Sequence, residues 1–172
     1  MGRQAMKIAA DTNVLVRALT GDHAAQSKAA QLTLRKAGMV ALTIPTLCEL
    51  VWVLQRYKTR ASDIAETIRG LLNSANIAVN RPAAEAGLAM LDADGDFADG
   101  VIAQEGSWFG ADTFVSFDRK AAKLVEARGK SARLKHRANE ASRRKATNAA
   151  ASWLPSFGTR DLALRAKARS SG

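Results

Sequence analysis

The stretch that decides the fold is MKIAADTNVLVRAL, residues 6–19. Its apolar run Met6–Ala10 is typical of a short buried strand, and Asp11 follows at once, before a second apolar run with helical spacing. The same order of strand and helix returns along the chain as far as residue 127. Strands are predicted at residues 6–10, 40–44, 76–79 and 113–117, and helices at 12–19, 23–37, 46–57, 62–72, 82–91, 96–109 and 119–127. This alternation predicts a short parallel sheet covered by helices on both faces, a three-layer α/β/α fold.

The net charge of +10 is confined to the C-terminal end of the chain. Residues 1–127 hold 14 Lys and Arg and 14 Asp and Glu, which leaves 12 basic and 2 acidic residues, of the total 26 and 16, for residues 128–172. The strand and helix patterns lie in the first part, whose length suits one domain. We therefore expect one folded domain over residues 6–127 and a basic, poorly ordered, irregular tail over residues 128–172.

The composition argues against several classes of protein. No apolar run approaches the roughly 20 residues of a membrane-spanning helix, and the first residues lack the apolar stretch of a signal peptide. A single cysteine, Cys48, cannot form an internal disulfide, which suits a reducing compartment. A cytoplasmic protein without membrane attachment is expected.

Four acidic residues occupy positions where the functional groups of such a sheet are expected. Ligands of open parallel sheets bind beyond the carboxyl ends of the strands, and each acid follows a predicted strand or opens a predicted helix. Carboxylates gathered there from distant segments would repel one another, and a divalent cation would neutralise them. These acids are Asp11, Glu49, Asp99 and Asp118.

Each acid also has a purely local interpretation. The sequence TLCE at residues 46–49 fits a capping box, in which Glu49 would bond back to the amide of the helix cap. Asp96 could cap the next helix with Asp99 in its first turn, and the acids at the two strand ends could cap the helices that follow. Each interpretation is reasonable when taken alone. The joint occurrence of the four acids favours the metal site.

Other catalytic chemistries find little support in the sequence. The chain has two histidines, His23 and His136, and neither lies near a predicted strand end or in a metal-ligand pair. This argues against histidine acid–base catalysis and against a zinc site. The sequence contains no glycine-rich phosphate-binding loop. Oxygen ligands alone select hard cations, so Mg²⁺ or Mn²⁺ is expected.

Four segments of the chain resemble the sequence motifs of PIN-domain ribonucleases, especially those of the VapC-type toxins of bacterial toxin–antitoxin pairs. The sequence DTNVLVRAL at 11–19 resembles the first motif, and IPTLCELVWVL at 44–54 resembles the second. The third and fourth motifs are matched by DFADGVIA at 96–103 and FVSFDRKAAKL at 114–124. The order and the spacing match over about residues 6–127, which implies a PIN-like fold.

The resemblance implies a role for each of these acids. It makes Asp96 an auxiliary acid one helical turn before Asp99, and it makes Asn13 a polar residue beside the first acid. Ser116 stands where the family usually has Thr, and it keeps the hydroxyl group. The implied metal ligands, which are also the catalytic residues, are Asp11, Glu49, Asp99 and Asp118.

The resemblance further implies a cytoplasmic, Mg²⁺- or Mn²⁺-dependent endoribonuclease that hydrolyses RNA by metal-activated water. Such toxins usually form homodimers and are held inactive by a cognate antitoxin protein. Two alternatives stay open: a PIN-fold RNA-processing nuclease without an antitoxin, and a non-enzymatic RNA-binding protein that works through its basic tail. The family's short last strand is poorly matched by ARL at residues 132–134, so the domain is expected to end near residue 127.

Overall fold

The computed structural model describes residues 5–135, which form an α/β fold of seven helices and five strands. The predicted α/β class with a short parallel sheet is confirmed. The strands are β1 (Lys7–Ala9), β2 (Met39–Leu42), β3 (Ile77–Val79), β4 (Thr113–Ser116) and β5 (Ser131–Leu134). The helices are α1 (Thr12–Thr20), α2 (Ala24–Lys36), α3 (Ile44–Arg56), α4 (Ala61–Leu72), α5 (Arg81–Asp92), α6 (Phe97–Trp108) and α7 (Arg119–Ala127).

The strands of the described residues pair in parallel, in two hydrogen-bonded groups. The first group is β1–β2–β3, with Ile8 opposite Val40, and the second is β4–β5. Parallel neighbours need crossover connections, and helices supply them: α1 and α2 lead from β1 to β2, α3 and α4 from β2 to β3, and α7 from β4 to β5. Within each group, the carboxyl ends of the strands therefore lie at the same edge. Asp11 follows β1 there, and Asp118 follows β4.

The main core packs the apolar faces of the helices against the first group of strands. Leucine and isoleucine recur at helical spacing in α3 and α4, and their side chains are buried. A smaller cluster around Met90, Ala103 and Val125 joins α5, α6 and α7. The largest side chains with 0 to 1 % exposure are Phe97, Leu15, Leu47, Leu50, Ile64, Ile68, Met90, Val40 and Val125.

Two glycines allow α5 and α6 to pack closely. A Cβ atom at Gly87 would lie 2.6 Å from the ring of Phe97, and one at Gly100 would collide with the carbonyl oxygen of Ala86. Phe97 is the first residue of α6 and is 1 % exposed. These contacts therefore determine the position of the N-terminal end of α6, where two of the candidate acids lie.

The strand β5 differs from the expectation that the domain ends near residue 127. It runs beside β4, with Ala132 opposite Phe114. Gly129, with a positive φ of 75°, turns the chain after α7, and glycine adopts this conformation without strain. Backbone pairing, which does not require large side chains, places the strand. Residues 136–172, most of the predicted tail, lie outside the described residues, and the domain boundary stays a prediction.

Candidate metal centre

Asp11 lies between β1 and α1 and caps the helix. Its Oδ1 accepts a hydrogen bond of 2.7 Å from the backbone N–H of Thr12. Nδ2 of Asn13, the predicted polar neighbour, donates to Oδ2 of Asp11 at 3.4 Å. Both Asp11 and Asn13 are exposed. The cap engages Oδ1, so capping and metal binding do not compete for Oδ2.

Glu49 is the sixth residue of α3, and it does not belong to a capping box. The N-cap of α3 is Thr43, whose hydroxyl oxygen accepts a hydrogen bond from the backbone N–H of Thr46. Thr46 therefore lies inside the helix, and the capping-box interpretation of Glu49 is wrong. Oε2 of Glu49 instead accepts a hydrogen bond of 2.6 Å from Oγ1 of Thr12. This bond joins α3 to the first residue of α1, beside Asp11.

Thr12 is a residue of this edge that sequence reasoning missed. It is 4 % exposed and shares the buried face of α1 with Leu15 and Val16. A polar side chain on such a face needs a hydrogen-bond partner, and Glu49 provides it. The spacing of residues 12, 15 and 16 is a signal that could have identified Thr12.

Asp96 and Asp99 lie at the N-terminal end of α6. Asp96 is the N-cap, and its Oδ1 accepts a hydrogen bond of 2.7 Å from the backbone N–H of Ala98. Asp99 is partly buried in the first turn. Burial raises the pKa of Asp99, and the negative charges of Asp96 and Asp118 raise it further. Like charges from two separate segments therefore act on one carboxyl group.

Asp118 lies between β4 and α7 and caps α7. Its Oδ1 accepts hydrogen bonds from the backbone N–H groups of Lys120, at 2.7 Å, and Ala121, at 3.2 Å. Its own backbone N–H donates to Oγ of Ser116 at 2.9 Å. The hydroxyl at position 116 thus fixes the backbone that carries the acid. The local interpretation of Asp118 as a cap is confirmed, and it leaves a metal role open.

Contacts and charges link the segments that carry these acids. The hydrogen bond from Thr12 to Glu49 joins α1 and α3, and the effect of Asp118 on Asp99 joins α6 and the start of α7. Cys48, next to Glu49, has a pKa raised mainly by burial and then by the charges of Asp96 and Glu105 on the α6 side. The hydrogen bond thus links Asp11 and Glu49 through Thr12, and the charges link Asp99 to Asp96 and Asp118.

Within residues 5–135, no group of three or more His, Cys, Asp or Glu side chains lies close enough together to hold a metal ion. The carboxylates of four of the candidate acids accept hydrogen bonds from nearby donors. The donor is Oγ1 of Thr12 for Glu49 and a backbone N–H group for Asp11, Asp96 and Asp118. The four-carboxylate ligand set stays a prediction.

The chemistry of the donors suits a hard divalent cation. The candidate side chains offer carboxylate, amide and hydroxyl oxygens, the atoms that Mg²⁺ and Mn²⁺ prefer. Burial, and then repulsion by the charges of Asp96 and Asp118, raises the pKa of Asp99. A bound positive charge would relieve this repulsion. The residues therefore fit such an ion in type and in charge.

Residues 8–127 match the family model described as PIN domain. The chain belongs to the PIN domain family. PIN domains are typically metal-dependent nucleases, and they act on RNA. The matched segment contains each of the candidate acids. Membership of the PIN domain family therefore indicates a nuclease of the PIN superfamily, with the candidate acids as the residues to test.

Two further observations concern relatives of the chain and membrane-spanning helices. No curated protein shows significant similarity to the chain. None of the helices formed by residues 5–135 has the length and the apolar character needed to cross a membrane.

Proposed function

We propose that this PIN domain is a Mg²⁺- or Mn²⁺-dependent endoribonuclease that hydrolyses phosphodiester bonds in RNA. The observation that carries this proposal is the hydrogen bond from Thr12 to Glu49, which joins α1 and α3 beside Asp11. On α6, burial and then the charges of Asp96 and Asp118 raise the pKa of Asp99. A cation bound among these acids would remove the repulsion. The family supports the same chemistry. The proposed metal ligands are Asp11, Glu49, Asp99 and Asp118.

Neighbouring side chains form hydrogen bonds with the proposed ligands or with their backbone. Thr12 holds the carboxylate of Glu49 through its hydroxyl group, and Asn13 places its amide beside Oδ2 of Asp11. Ser116 fixes the backbone at Asp118, and the auxiliary acid Asp96 caps α6. A bound cation would supply a polarised water and would neutralise charge on the scissile phosphate. These hydrogen bonds would restrict the movement of the proposed ligands before RNA binds.

His23, the histidine within residues 5–135, has no part in the proposed reaction. Nδ1 of His23 accepts a hydrogen bond of 3.4 Å from the backbone N–H of Gln26, so His23 serves as the cap of α2. The carboxylates are the groups proposed to handle charge at the phosphate. Hydrolysis by water then yields products with 5′-phosphate and 3′-hydroxyl ends.

We further propose that the protein is the toxin of a toxin–antitoxin pair, acts in the cytoplasm as a homodimer and is held inactive by a cognate antitoxin. The order and spacing of the four motifs support the toxin subtype. The same resemblance supports the homodimer and the antitoxin partner, which are usual for toxins of this type.

The test of the proposed function is cleavage of total RNA by the purified full chain with Mn²⁺, beside the Asp11→Asn variant. The wild-type chain should yield discrete fragments with 5′-phosphate ends, and the variant should yield none. RNA that stays intact after long incubation would contradict the enzyme and would favour a non-enzymatic RNA-binding protein. If the chain cleaves RNA but no small antitoxin gene lies beside its own gene, an RNA-processing nuclease is favoured over a toxin.

A further inference from the structure

The helix α3 carries an exposed stripe that passes through the proposed active site. Members of the stripe are three or four residues apart, a spacing that places them on one face of the helix. The opposite face, formed largely by leucines, is buried in the core. The stripe therefore extends from the proposed metal ligand along the solvent side of α3. Its residues, all exposed, are Pro45, Glu49, Trp52 and Arg56.

Trp52 is the member of this stripe that needs an explanation. Its side chain is 56 % exposed, although burial of so large a ring would add to the stability of the core. The guanidinium carbon of Arg56 lies 5.0 Å from the centroid of the ring, a cation–π contact. Arg56 thus covers part of the ring and adds a positive charge beside it, and much of the ring is still open to solvent.

We propose that Trp52 stacks on a base of single-stranded RNA and holds the adjoining phosphate at the carboxylates. The proposal rests on the proposed ribonuclease function and assigns a substrate-positioning role to one residue outside the proposed metal ligands. Trp52 lies one helical turn, about 5.4 Å along the helix axis, from Glu49. A base on its ring therefore belongs to a nucleotide close to the scissile phosphate, and Arg56 faces the negatively charged backbone.

Stacking on Trp52 also sets a requirement on the pairing of the bound base. A base can lie on an aromatic side chain only when it is unpaired and splayed out of a helix, as in loops and single strands. Every base has a π-face, so stacking holds the strand without demanding one sequence. The base that Trp52 holds must therefore be unpaired, and a base inside a duplex cannot make this contact.

The charges beside Trp52 favour RNA over a second copy of the chain. The centres of protein interfaces are depleted of charged residues, whereas Trp52 lies between Glu49 and Arg56 on the same face of α3. An arginine next to an aromatic ring is the combination that single-stranded nucleic acid sites use.

The first test compares Trp52→Ala, Trp52→Phe and the matched control Trp108→Ala. Trp108 is 74 % exposed but lies at the end of α6 opposite to the acids. Cleavage of a single-stranded oligonucleotide with Mn²⁺ should show kcat/KM lowered about 5- to 150-fold in Trp52→Ala, mostly through KM. Trp52→Phe should keep most of the activity, and Trp108→Ala should match wild type. An unchanged kcat/KM in Trp52→Ala would overturn the proposal while leaving the nuclease intact.

A second test does not depend on cleavage. The chain has three tryptophans, so Trp108→Phe with Trp153→Phe leaves Trp52 as the only one; Asp11→Asn is added to stop cleavage. Titration with a single-stranded oligonucleotide should quench the fluorescence of Trp52 saturably, and duplex of the same sequence should not. Quenching in this variant, together with RNA that stays intact after incubation with the wild-type chain and Mn²⁺, would support stacking and refute the nuclease. Fluorescence that RNA does not change would refute stacking. Dissociation of a dimer by Trp52→Ala with unchanged RNA affinity would also overturn the proposal.

Discussion

The hydroxyl group of Thr12 donates a hydrogen bond of 2.6 Å to Oε2 of Glu49 and so joins the first turn of α1 to α3. Thr12 is 4 % exposed, so the donor end of this bond is shielded from water. Its neighbour in the chain is Asp11, which caps the same helix. The bond therefore sets the position of one proposed metal ligand relative to another, through a residue that is not itself acidic.

Thr12→Val should weaken catalysis without removing a ligand. Valine keeps the shape of the side chain and removes the donor to Glu49. We expect RNA cleavage to fall about 10- to 100-fold, the range for groups that orient metal ligands. The free energy of unfolding should fall by about 1–2 kcal/mol, because a charged group loses its hydrogen bond. Kinetics and urea unfolding measure the two effects. Thr12→Ser, which keeps the hydroxyl, is the control, and equal activity of the Val variant and wild type would contradict the orienting role.

Substitutions at Asp11 and Asp118 should separate capping from metal binding. Asparagine caps a helix about as well as aspartate, whereas alanine does not. Asp11→Asn and Asp118→Asn should therefore keep the melting temperature and lose more than about 100-fold in metal-dependent cleavage, beyond the usual effect of outer partners. The alanine variants should lose the same activity and in addition about 0.5–2 kcal/mol of stability. An Asn variant that cleaves RNA at nearly the wild-type rate would remove that acid from the ligand set.

Asp99→Asn should stabilise the metal-free protein at neutral pH. The pKa of Asp99 in the folded state lies above its ordinary value of 3.8, because of burial and the charges of Asp96 and Asp118. The folded state therefore binds this proton more tightly than the unfolded state does. The contribution of Asp99 to stability then falls as the pH rises from 3.8 through the raised pKa. The variant should melt above wild type at pH 7, and the two should converge below pH 3.8.

The control for this pH series is Asp112→Asn, which changes the net charge equally at an exposed loop position. Its melting curve should follow that of wild type across the whole range. A difference between Asp99→Asn and wild type that does not vary with pH would show that the charge of Asp99 is not the cause.

Mn²⁺ should stabilise the folded chain, because only the folded state gathers the proposed ligands. At ten times the dissociation constant, the gain is about 1.4 kcal/mol, visible as a rise in melting temperature. Glu49→Gln should lose most of this rise. Asp92→Asn removes an acid that is paired with Arg69 and lies outside the proposed ligand set, so it should keep the rise. A wild-type chain whose melting temperature is unaffected by millimolar Mn²⁺ and Mg²⁺ would argue against the metal site.

Deletion of residues 136–172 should separate binding of RNA from its cleavage. This segment holds eight basic and two acidic residues, and a cut after Lys135 keeps β5. Non-specific affinity for RNA should fall, and the slope of log K against log salt should flatten by about 0.7 for each phosphate that the shortened chain no longer neutralises. Cleavage should persist, because the proposed ligands all lie within residues 8–127. An unchanged affinity and salt slope would show that the tail takes no part in binding.

Local patterns in the sequence predicted most of the fold. The predicted strands and helices over residues 6–127 are present, with ends within two residues of the prediction, and α7 has the predicted bounds. The prediction succeeds because apolar runs and helical spacing are signals that lie within one segment. The start of α3 shows the limit of such signals. Thr43 and Thr46 are both acceptable caps, and Pro45 is tolerated in a first turn. The burial of Ile44, 8 % exposed, favours the earlier start, and burial is a tertiary property.

Features that depend on distant residues could not be predicted in this way. β5 owes its place to backbone pairing with β4, so its own side chains indicate it poorly. The bond between Thr12 and Glu49 spans 37 positions of the chain, and neither residue indicates the other. The four acids were selected because each follows a predicted strand or opens a predicted helix, although Glu49 is in fact the sixth residue of α3. Which of the acids lie close together depends on tertiary contacts, which no periodicity records.

The close packing of α5 and α6 has a consequence for how this protein can change over evolutionary time. Gly100 touches the backbone of α5 where a methyl group would collide with Ala86, and it directly follows Asp99. Replacement of this glycine would shift the helix that carries Asp96 and Asp99, although glycine has no functional group of its own. Many surface positions of α6 could therefore change during evolution, whereas selection for activity would keep a glycine at position 100, because no larger side chain fits there.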